Sequence, residues 1–572
     1  MSTHRLYRLV NDRRGLLGLI LWFQAGVGAF LFVSFISHPS EANENLILGL
    51  SPIRFSVAFL FLLLLTINLA LIYIGYRGST NLQRKIGQRI ETLIEKHPSI
   101  VLWSVYSITL IGSVLCLIAF TPATSSVGFM QVVRARLIPL IAWITLWSGF
   151  SIYLLKTFYS TVLIENRTAS FLDRFLIGFA VFLITFFLYE QIAAWIGWTD
   201  KSRYSYWDEL AEQFLKGRLY LDHPAQTHDL TFYNGKWYVP NPPVPALMMV
   251  PLALFFDPGE IDTGLFSIIF SAINALIVFL ILGQLSARKW LGYSLVGGLC
   301  LVTLFAFGTP HLWVGINGRM WFVSQILAVT FLGFGILAAL KGWSPWLIGL
   351  SVGLAVGTRP NGIMSWPFMF AIAMQIEYEK TNFLSIRRLL AWSIKSCIPI
   401  GIVIAGLLAY NFARFGNYLD FGYTTINGDP VIVESAQTYG LLSTHFILYN
   451  LRVMFLYLPQ IRWGETWPIL PSGAGMSLFL TTPALIYLFR RYEKKIWIFG
   501  AFGAIFFNIL FLAFYHNAGK DQFGYRYILD FIVPIICLLA IGLAKKVPWN
   551  FVVLLLISIG INLYGAYWFM NY

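Results

Sequence analysis

The chain has 572 residues, of which 58% are hydrophobic and only 12% are charged. Soluble domains carry about a quarter charged residues, so this composition excludes an ordinary soluble protein. A net charge of +14 could indicate a nucleic-acid partner in a soluble protein, but in a membrane protein basic residues collect in cytoplasmic loops. We therefore expect an all-α polytopic membrane protein that contacts membrane lipids and binds no nucleic acid.

The N-terminal segment MSTHRLYRLVNDRRG is basic, which predicts a cytoplasmic N-terminus. The first apolar run is long and lacks a clear small-residue cleavage site, so we expect it to remain as a helix. Apolar runs of about 17–25 residues are long enough to cross a bilayer. Five such runs are predicted as spans, near 15–36, 53–75, 99–121, 138–158 and 174–197.

Residues 242–256 decide the topology of the rest of the chain. They read PPVPALMMVPLALFF, an apolar stretch with four prolines that suits an interfacial or re-entrant element better than a full span. If this segment does not cross, the chain after residue 257 has 13 basic residues inside and 7 outside, and crossing reverses that count. The excess of basic residues in cytoplasmic loops therefore favours a segment that stays at the outer leaflet.

Ten further spans follow on this interpretation, near 263–285, 291–308, 321–341, 343–358, 361–378, 389–411, 476–490, 495–515, 527–545 and 550–569. The total is about 15 transmembrane helices, with 25 basic residues inside and 15 outside. The predicted division is an N-terminal extension of four spans (1–173), a membrane module (174–411) with a first outer loop (198–262), a large outer loop (412–475) and C-terminal transmembrane helices (476–572). We expect a multi-pass protein of the plasma (inner) membrane whose active site faces outside.

The first outer loop contains two candidate catalytic regions. WDELAEQFLKG is amphipathic at helical spacing, which predicts a helix lying flat on the membrane surface. Asp208 and Glu209 open this helix and are either catalytic carboxylates or ordinary helix-capping residues. Asp229 precedes a predicted hairpin with Asn-Gly at its turn, and it is either catalytic or an ordinary loop carboxylate. Tyr238 in that hairpin is either an interface aromatic or a substrate contact.

Cations collect in the other predicted outer segments, 309–320, 358–361, 412–475 and 516–526. At Arg319 the alternative to a functional role is a side chain that snorkels to the membrane surface. Arg359 lies at membrane depth, where a charge favours a phosphate-binding or structural role over snorkelling. Several cations on one face suit an anionic substrate such as a phosphate. The candidate substrate-binding residues are Tyr238, Arg319, Arg359, His445, Lys520 and Arg526.

The order of these motifs resembles the GT-C superfamily of membrane glycosyltransferases, in its family 39 branch of protein O-mannosyltransferases and aminoarabinose transferases. The resemblance covers roughly 175–545. It rests on Asp208-Glu209 followed by LAEQFLKG, GKWYVPNPP, YNFARFGNYLDFGY, PSGAGMSLFLTTP and FGYRYILDFIVP. It implies a GT-C-like core with juxtamembrane helices at the outer face. It also implies a polyprenyl-phosphate sugar donor and a lipid, glycan or protein acceptor in the cell envelope.

By the same resemblance, Asp208 matches the catalytic acidic position and would act as general base on the acceptor, while Arg359, Lys520 and Arg526 would stabilise the leaving phosphate. Asn317 and Arg319 stand where some relatives present a second carboxylate. This departure puts metal dependence in doubt. A divalent metal ion stays an open alternative as cofactor, with no ligands identified.

Two other functional classes stay open at this point. A transporter or flippase for lipid or polysaccharide would place ionisable residues near mid-membrane in broken helices, and few charges occur there. A polysaccharide polymerase or ligase shares a lipid-linked donor and a large late outer loop. The acidic start and the Pro-Pro turn of the first outer loop favour the GT-C interpretation.

Overall fold

The computed structural model describes residues 167–197, 204–292, 294–463, 469–543 and 547–571. The predicted cytoplasmic N-terminus and the first four predicted spans lie outside these residues. The chain divides into two compact units, Met1–Ile184 and Thr185–Tyr572, and the second unit contains the candidate site and every helix and strand that begins after Ile184.

The described part is mainly helical. Its α-helices in chain order are α1 (Arg167–Trp195), α2 (Trp207–Leu215), α3 (Val244–Ala253), α4 (Thr263–Ala287), α5 (Leu295–Phe307), α6 (His311–Gly315), α7 (Met320–Lys341), α8 (Pro345–Val356), α9 (Trp366–Thr381), α10 (Ile386–Phe415), α11 (Pro430–Tyr439), α12 (Ile447–Phe455), α13 (Leu478–Thr481), α14 (Ile496–Phe514), α15 (Ile532–Gly542) and α16 (Trp549–Asn571). Short 3-10 helices occupy Pro360–Ser365, Tyr423–Thr425, Thr444–Phe446, Pro483–Leu488 and Arg526–Phe531.

Six helices of the described residues are long and apolar enough to cross a membrane: α1, α4, α7, α10, α14 and α16. Each coincides with a predicted span, so the membrane class is supported by six independent segments. The other five predicted spans in the described part contain shorter helices, α5, α8, α9, α13 and α15. In three of them a 3-10 helix takes up part of the predicted length, as at Pro360–Ser365 ahead of α9 and at Pro483–Leu488 after α13. Of the 11 spans predicted in the described residues, six are therefore helices of membrane length. The predicted total of about 15 is not tested, because four of its spans lie outside these residues.

The segment that decided the predicted topology forms α3, which has ten residues and a proline, Pro251, inside it. At 1.5 Å per residue α3 is about 15 Å long, half the thickness of the hydrocarbon core. It packs against α2, and both helices contribute to one hydrophobic cluster with Leu230, Val239 and the start of α7.

Packing against protein changes the interpretation of α2. The predicted helix exists, but the side chain of Leu210 on its apolar face is fully buried within that cluster. This apolar face is therefore covered by protein, not by the membrane surface. The capping alternative for Asp208 is also wrong, because Tyr206 is the N-cap and Asp208 is the second residue of the helix.

The predicted hairpin is present as β1 (Thr231–Tyr233) and β2 (Lys236–Tyr238), which pair antiparallel. Asn234 and Gly235 at its turn both have positive φ, 48° and 75°, as a type I′ turn requires. A second pair, β3 (Gln460–Ile461) with β4 (Ile469–Leu470), lies in the predicted large outer loop.

The short helix α8 packs closely against the membrane-length helix α10. A Cβ atom at Gly349 of α8 would lie 2.0 Å from the carbonyl oxygen of Ser396 in α10. Only glycine allows the two backbones to approach this closely.

Candidate functional site

A cavity of about 750 Å³ opens where the connecting segments meet. All five segments predicted to lie outside contribute side chains to its wall, together with the end of α16. The wall includes Tyr204, His228, Asp229, Arg319, Trp321, Phe322, Arg359, Tyr423, Asp429, Tyr515, His516, Lys520, Asp521, Arg526, Tyr527, Trp568 and Phe569. The segments predicted to share the outer side therefore contribute to one cavity.

Asp229 is the candidate catalytic carboxylate that the structure places in this wall. Its backbone has φ of 58° and is fixed by a hydrogen bond of 2.7 Å from its N–H to the carbonyl of Asn427. A Cβ at Gly428 would lie 2.5 Å from the Asp229 Oδ1, so glycine at that position makes room for the carboxylate. Burial raises the pKa of Asp229 against the opposing effects of His228 and Arg526.

Arg359 lines the cavity but is held by a carboxylate. Its Nε and Nη2 donate to Oδ1 and Oδ2 of Asp530 at 2.8 and 2.9 Å, a bidentate geometry. Asn361 donates a third hydrogen bond to Asp530 Oδ2 at 2.8 Å. Burial by itself would lower the pKa of Arg359, but the Asp530 carboxylate raises it above the ordinary value. Of the two roles predicted for Arg359, this geometry favours the structural one.

Lys520 is also paired, in a more exposed setting. Its Nζ contacts the Asp429 carboxylate, which accepts hydrogen bonds from Val431 and Ile432 at the start of α11. The hydrogen bond from Lys520 lowers the pKa of Asp429.

Arg319 and Arg526 differ from these two cations. Neither has an ion pair within the part of the chain that the structure describes. Arg319 lies over the rings of Tyr204 and Phe569, at 5.5 and 4.9 Å from their centroids. Burial lowers the pKa of both guanidinium groups, yet arginine remains charged at any physiological pH.

Arg526 is the more buried of the two, with only 6% of the residue exposed. Its Nη1 donates a long hydrogen bond of 3.4 Å to Gln325, and its Nε has no hydrogen-bond partner among the described residues. An unsatisfied buried donor on a charged group is costly. Such a group beside a cavity is well placed to bind an anion that supplies the missing acceptors.

Two further polar residues in the wall are absent from the predicted site. Asp521 has positive φ, 54°, and no ion pair among the described residues. His516 is half-buried, and burial lowers its pKa to about 4, so its imidazole is neutral at pH 7. The sequence places both in the predicted outer segment HNAGKDQFGYR, but without a pattern that distinguishes them from the solvated residues of that loop.

Four predicted site residues lie elsewhere. Asp208 is fully buried and accepts hydrogen bonds of 3.2 Å from Ser205 and from the Gly259 N–H. Glu209, its neighbour in α2, does not line the cavity. Tyr238 is buried against Phe415, and His445 stacks on Tyr439 with ring centroids 3.7 Å apart.

The metal prediction has no matching ligand set. Within the described residues no group of three or more His, Cys, Asp or Glu side chains is arranged to hold a metal ion. We therefore derive no chemical step through a metal.

The cavity thus offers a carboxylate with a raised pKa and two arginines that have no carboxylate partner among the described residues, beside aromatic side chains. Comparisons with family models, with curated proteins and with solved structures found no match for this chain.

Proposed function

We propose that the chain is a membrane glycosyltransferase that moves a sugar from a polyprenyl-phosphate donor to an acceptor hydroxyl. The observation that carries this proposal is the shared cavity wall of Asp229, Arg319 and Arg526. Glycosyl transfer from a lipid phosphate needs a base at the acceptor and positive charge at the leaving group. The two arginines supply that positive charge and Asp229 supplies the base.

The reaction is a single displacement that inverts the anomeric carbon. The acceptor oxygen forms a bond to C1 of the sugar as the bond between C1 and the phosphate oxygen breaks. Asp229 takes the hydroxyl proton, and the polyprenyl phosphate leaves with the bonding electron pair. Arg319 and Arg526 bind the leaving phosphate, whose charge grows as the bond breaks.

Asp229 fits the role of base better than Asp208. The Asp208 carboxylate is fully buried, with both oxygens accepting hydrogen bonds, so a substrate does not reach it without a rearrangement of α2. Asp229 lies in the cavity wall, and its raised pKa makes it a stronger base once ionised.

The size and lining of the cavity also support this donor class. A volume of about 750 Å³ falls in the range of small-molecule sites, roughly 300–1,000 Å³, and accommodates a sugar phosphate. Aromatic side chains such as Trp321, Tyr423 and Trp568 provide apolar faces beside the polar groups.

The test is incubation of the purified chain with a panel of polyprenyl-phosphate sugars, with release of polyprenyl phosphate as the readout. Asp229→Asn is expected to lower the transfer rate by about 10²–10⁴-fold, the usual contribution of a general base. Asp222→Asn is the matched control, because Asp222 is exposed, paired with Arg218 and outside the cavity. Full activity of Asp229→Asn together with loss in Asp208→Asn would return the role of base to Asp208. Failure of every donor to be consumed contradicts the proposed function.

The pH profile gives a second check on Asp229. A base works only when ionised, and burial raises the pKa of this carboxyl above its ordinary value near 3.8. The rate should therefore fall on the acid side at a higher pH than a free aspartate would give. An acid limb at or below the ordinary aspartate pKa would exclude Asp229 as the titrating base.

A further inference from the structure

Several large apolar side chains are exposed in the late connecting segment, at residues 448–463. We call the exposed side of this segment the α12 surface. Leu448 is 80% exposed and Trp463 is 86% exposed. Between them the side chains of Leu456, Leu458 and Ile461 are also exposed. Exposed apolar patches of this kind mark a binding surface on a folded protein.

The other face of α12 fixes this surface beside a membrane-length helix. Asn450, Val453 and Met454 are buried, and α12 packs against α14. The side-chain amide of Asn450 donates to the carbonyls of Leu512, Ala513 and Tyr515, at 3.0, 3.1 and 2.7 Å. These carbonyls belong to the C-terminal end of α14, so the α12 surface lies at the depth where that helix ends.

The charged side chains of residues 448–463 are both arginines. Arg452 and Arg462 are exposed within it, and no aspartate or glutamate occurs between residues 435 and 464. Apolar side chains with Trp and Arg at the end of a membrane-length helix are typical of elements bound at a bilayer surface. Arginines near such a surface are attracted to anionic headgroups.

We propose that the α12 surface binds the adjoining bilayer leaflet, with its apolar side chains among the lipid chains and Arg452 and Arg462 on anionic phospholipid headgroups. A second copy of the chain fits less well, because a two-fold contact through this surface brings the like-charged arginines of both copies together. The inference concerns the bilayer alone and does not depend on glycosyl transfer.

The test uses the full-length chain reconstituted in phosphatidylcholine vesicles with or without phosphatidylglycerol. The photo-crosslinking residue p-benzoylphenylalanine replaces Leu448 in one sample and Val431 in the control. Val431 is 74% exposed and apolar, but it lies in α11, outside the α12 surface. Mass spectrometry then identifies the crosslinked partner.

The Leu448 probe is expected to form lipid adducts at least several-fold more often than the Val431 probe. In the Leu448-probe chain, the double change R452Q/R462Q should lower adducts with phosphatidylglycerol several-fold and leave adducts in pure phosphatidylcholine unchanged. Both arginines are exposed, so thermal unfolding should match that of the unchanged chain. Crosslinks to a second copy of the chain, or equal lipid adducts from both probes, would overturn the proposal. If the double variant forms as many phosphatidylglycerol adducts as the Leu448-probe chain without these changes, the proposed contact between the two arginines and the headgroups is wrong.

Discussion

Arg359 and Arg526 line the same cavity, but only Arg359 is paired with a carboxylate among the described residues. Arg359 makes a bidentate pair with Asp530, which Asn361 completes. Arg526 faces the rings of Phe322 and Tyr527 and has a buried Nε without a partner among the described residues. The first arginine is paired with a carboxylate, whereas the Nε of the second has no acceptor among the described residues.

The comparison has an energetic meaning. A buried charge with its partner removed costs several kcal/mol, while an ion pair as a whole is worth little more than well-packed apolar side chains. Removing Arg359 therefore leaves the Asp530 carboxylate uncompensated. Removing Arg526 relieves a cost that the free protein already bears.

The largest effect is expected for Arg359→Met. The side chain of Asp530 is only 3% exposed, so loss of its partner should lower the free energy of unfolding by about 3–5 kcal/mol. The measurement is thermal unfolding of the purified protein in detergent. The double variant Arg359→Met/Asp530→Leu removes both charges and should recover most of the lost stability. Equal stability of the single variant and the unchanged chain would contradict the structural role of this pair.

A smaller effect, in a different property, is expected for Arg526→Met. The side chains are similar in length, and the substitution removes an unpaired charge, so thermal stability should stay the same or rise. Binding of polyprenyl phosphate should weaken by roughly 10–100-fold, since a hydrogen bond to a charged group contributes about 1.5–3 kcal/mol. Binding is measured by titration of the lipid phosphate in detergent. A large loss of stability with unaltered affinity would make Arg526 a structural residue like Arg359.

The sequence predicted which segments lie on the same side of the membrane, but not which charged side chains form pairs. Counting basic residues on each side of α3 predicted that Asp229, Arg319, Arg359, Lys520 and Arg526 lie on one side of the membrane. The structure places all five in the wall of one cavity. The side of the membrane that a loop takes depends on the number of basic residues in the whole segment, which can be counted in the sequence. Which carboxylate pairs with Arg359 depends instead on how residues far apart in the chain pack together, and this cannot be read from their spacing in the sequence.

The two candidate carboxylates show the same limit at shorter range. Asp208 opens an amphipathic helix, and its residue type and position suited the predicted general base. The packing of α2 on α3 turned the Asp208 side chain into the protein interior. Asp229 gave a weaker signal in the sequence, yet the hairpin beside it was predictable from Asn-Gly, and Gly428 leaves the space that its carboxylate occupies.

The smallest effect is expected at the pair of Lys520 and Asp429. It is a paired cation like Arg359, but the side chain of Lys520 is 49% exposed, so water and salt screen it. Asp429→Asn keeps a residue able to cap α11 and removes the ion pair, which should cost at most about 1 kcal/mol. The difference from the unchanged chain should shrink in high salt.

The pH dependence of this pair follows from the lowered pKa of Asp429, caused first by the hydrogen bond from Lys520. Its stabilisation is fully present above the ordinary aspartate pKa near 3.8 and is lost as the pH falls through the lowered value. Thermal unfolding of Asp429→Asn and the unchanged chain should therefore differ at neutral pH and converge in acid. If Asp429→Asn instead lost as much stability as Arg359→Met, the greater exposure of Lys520 would not explain its difference from Arg359. The arginines and lysine of the cavity would then differ only in whether they are paired. Of these, Arg319 and Arg526 are the two that have no carboxylate partner among the described residues.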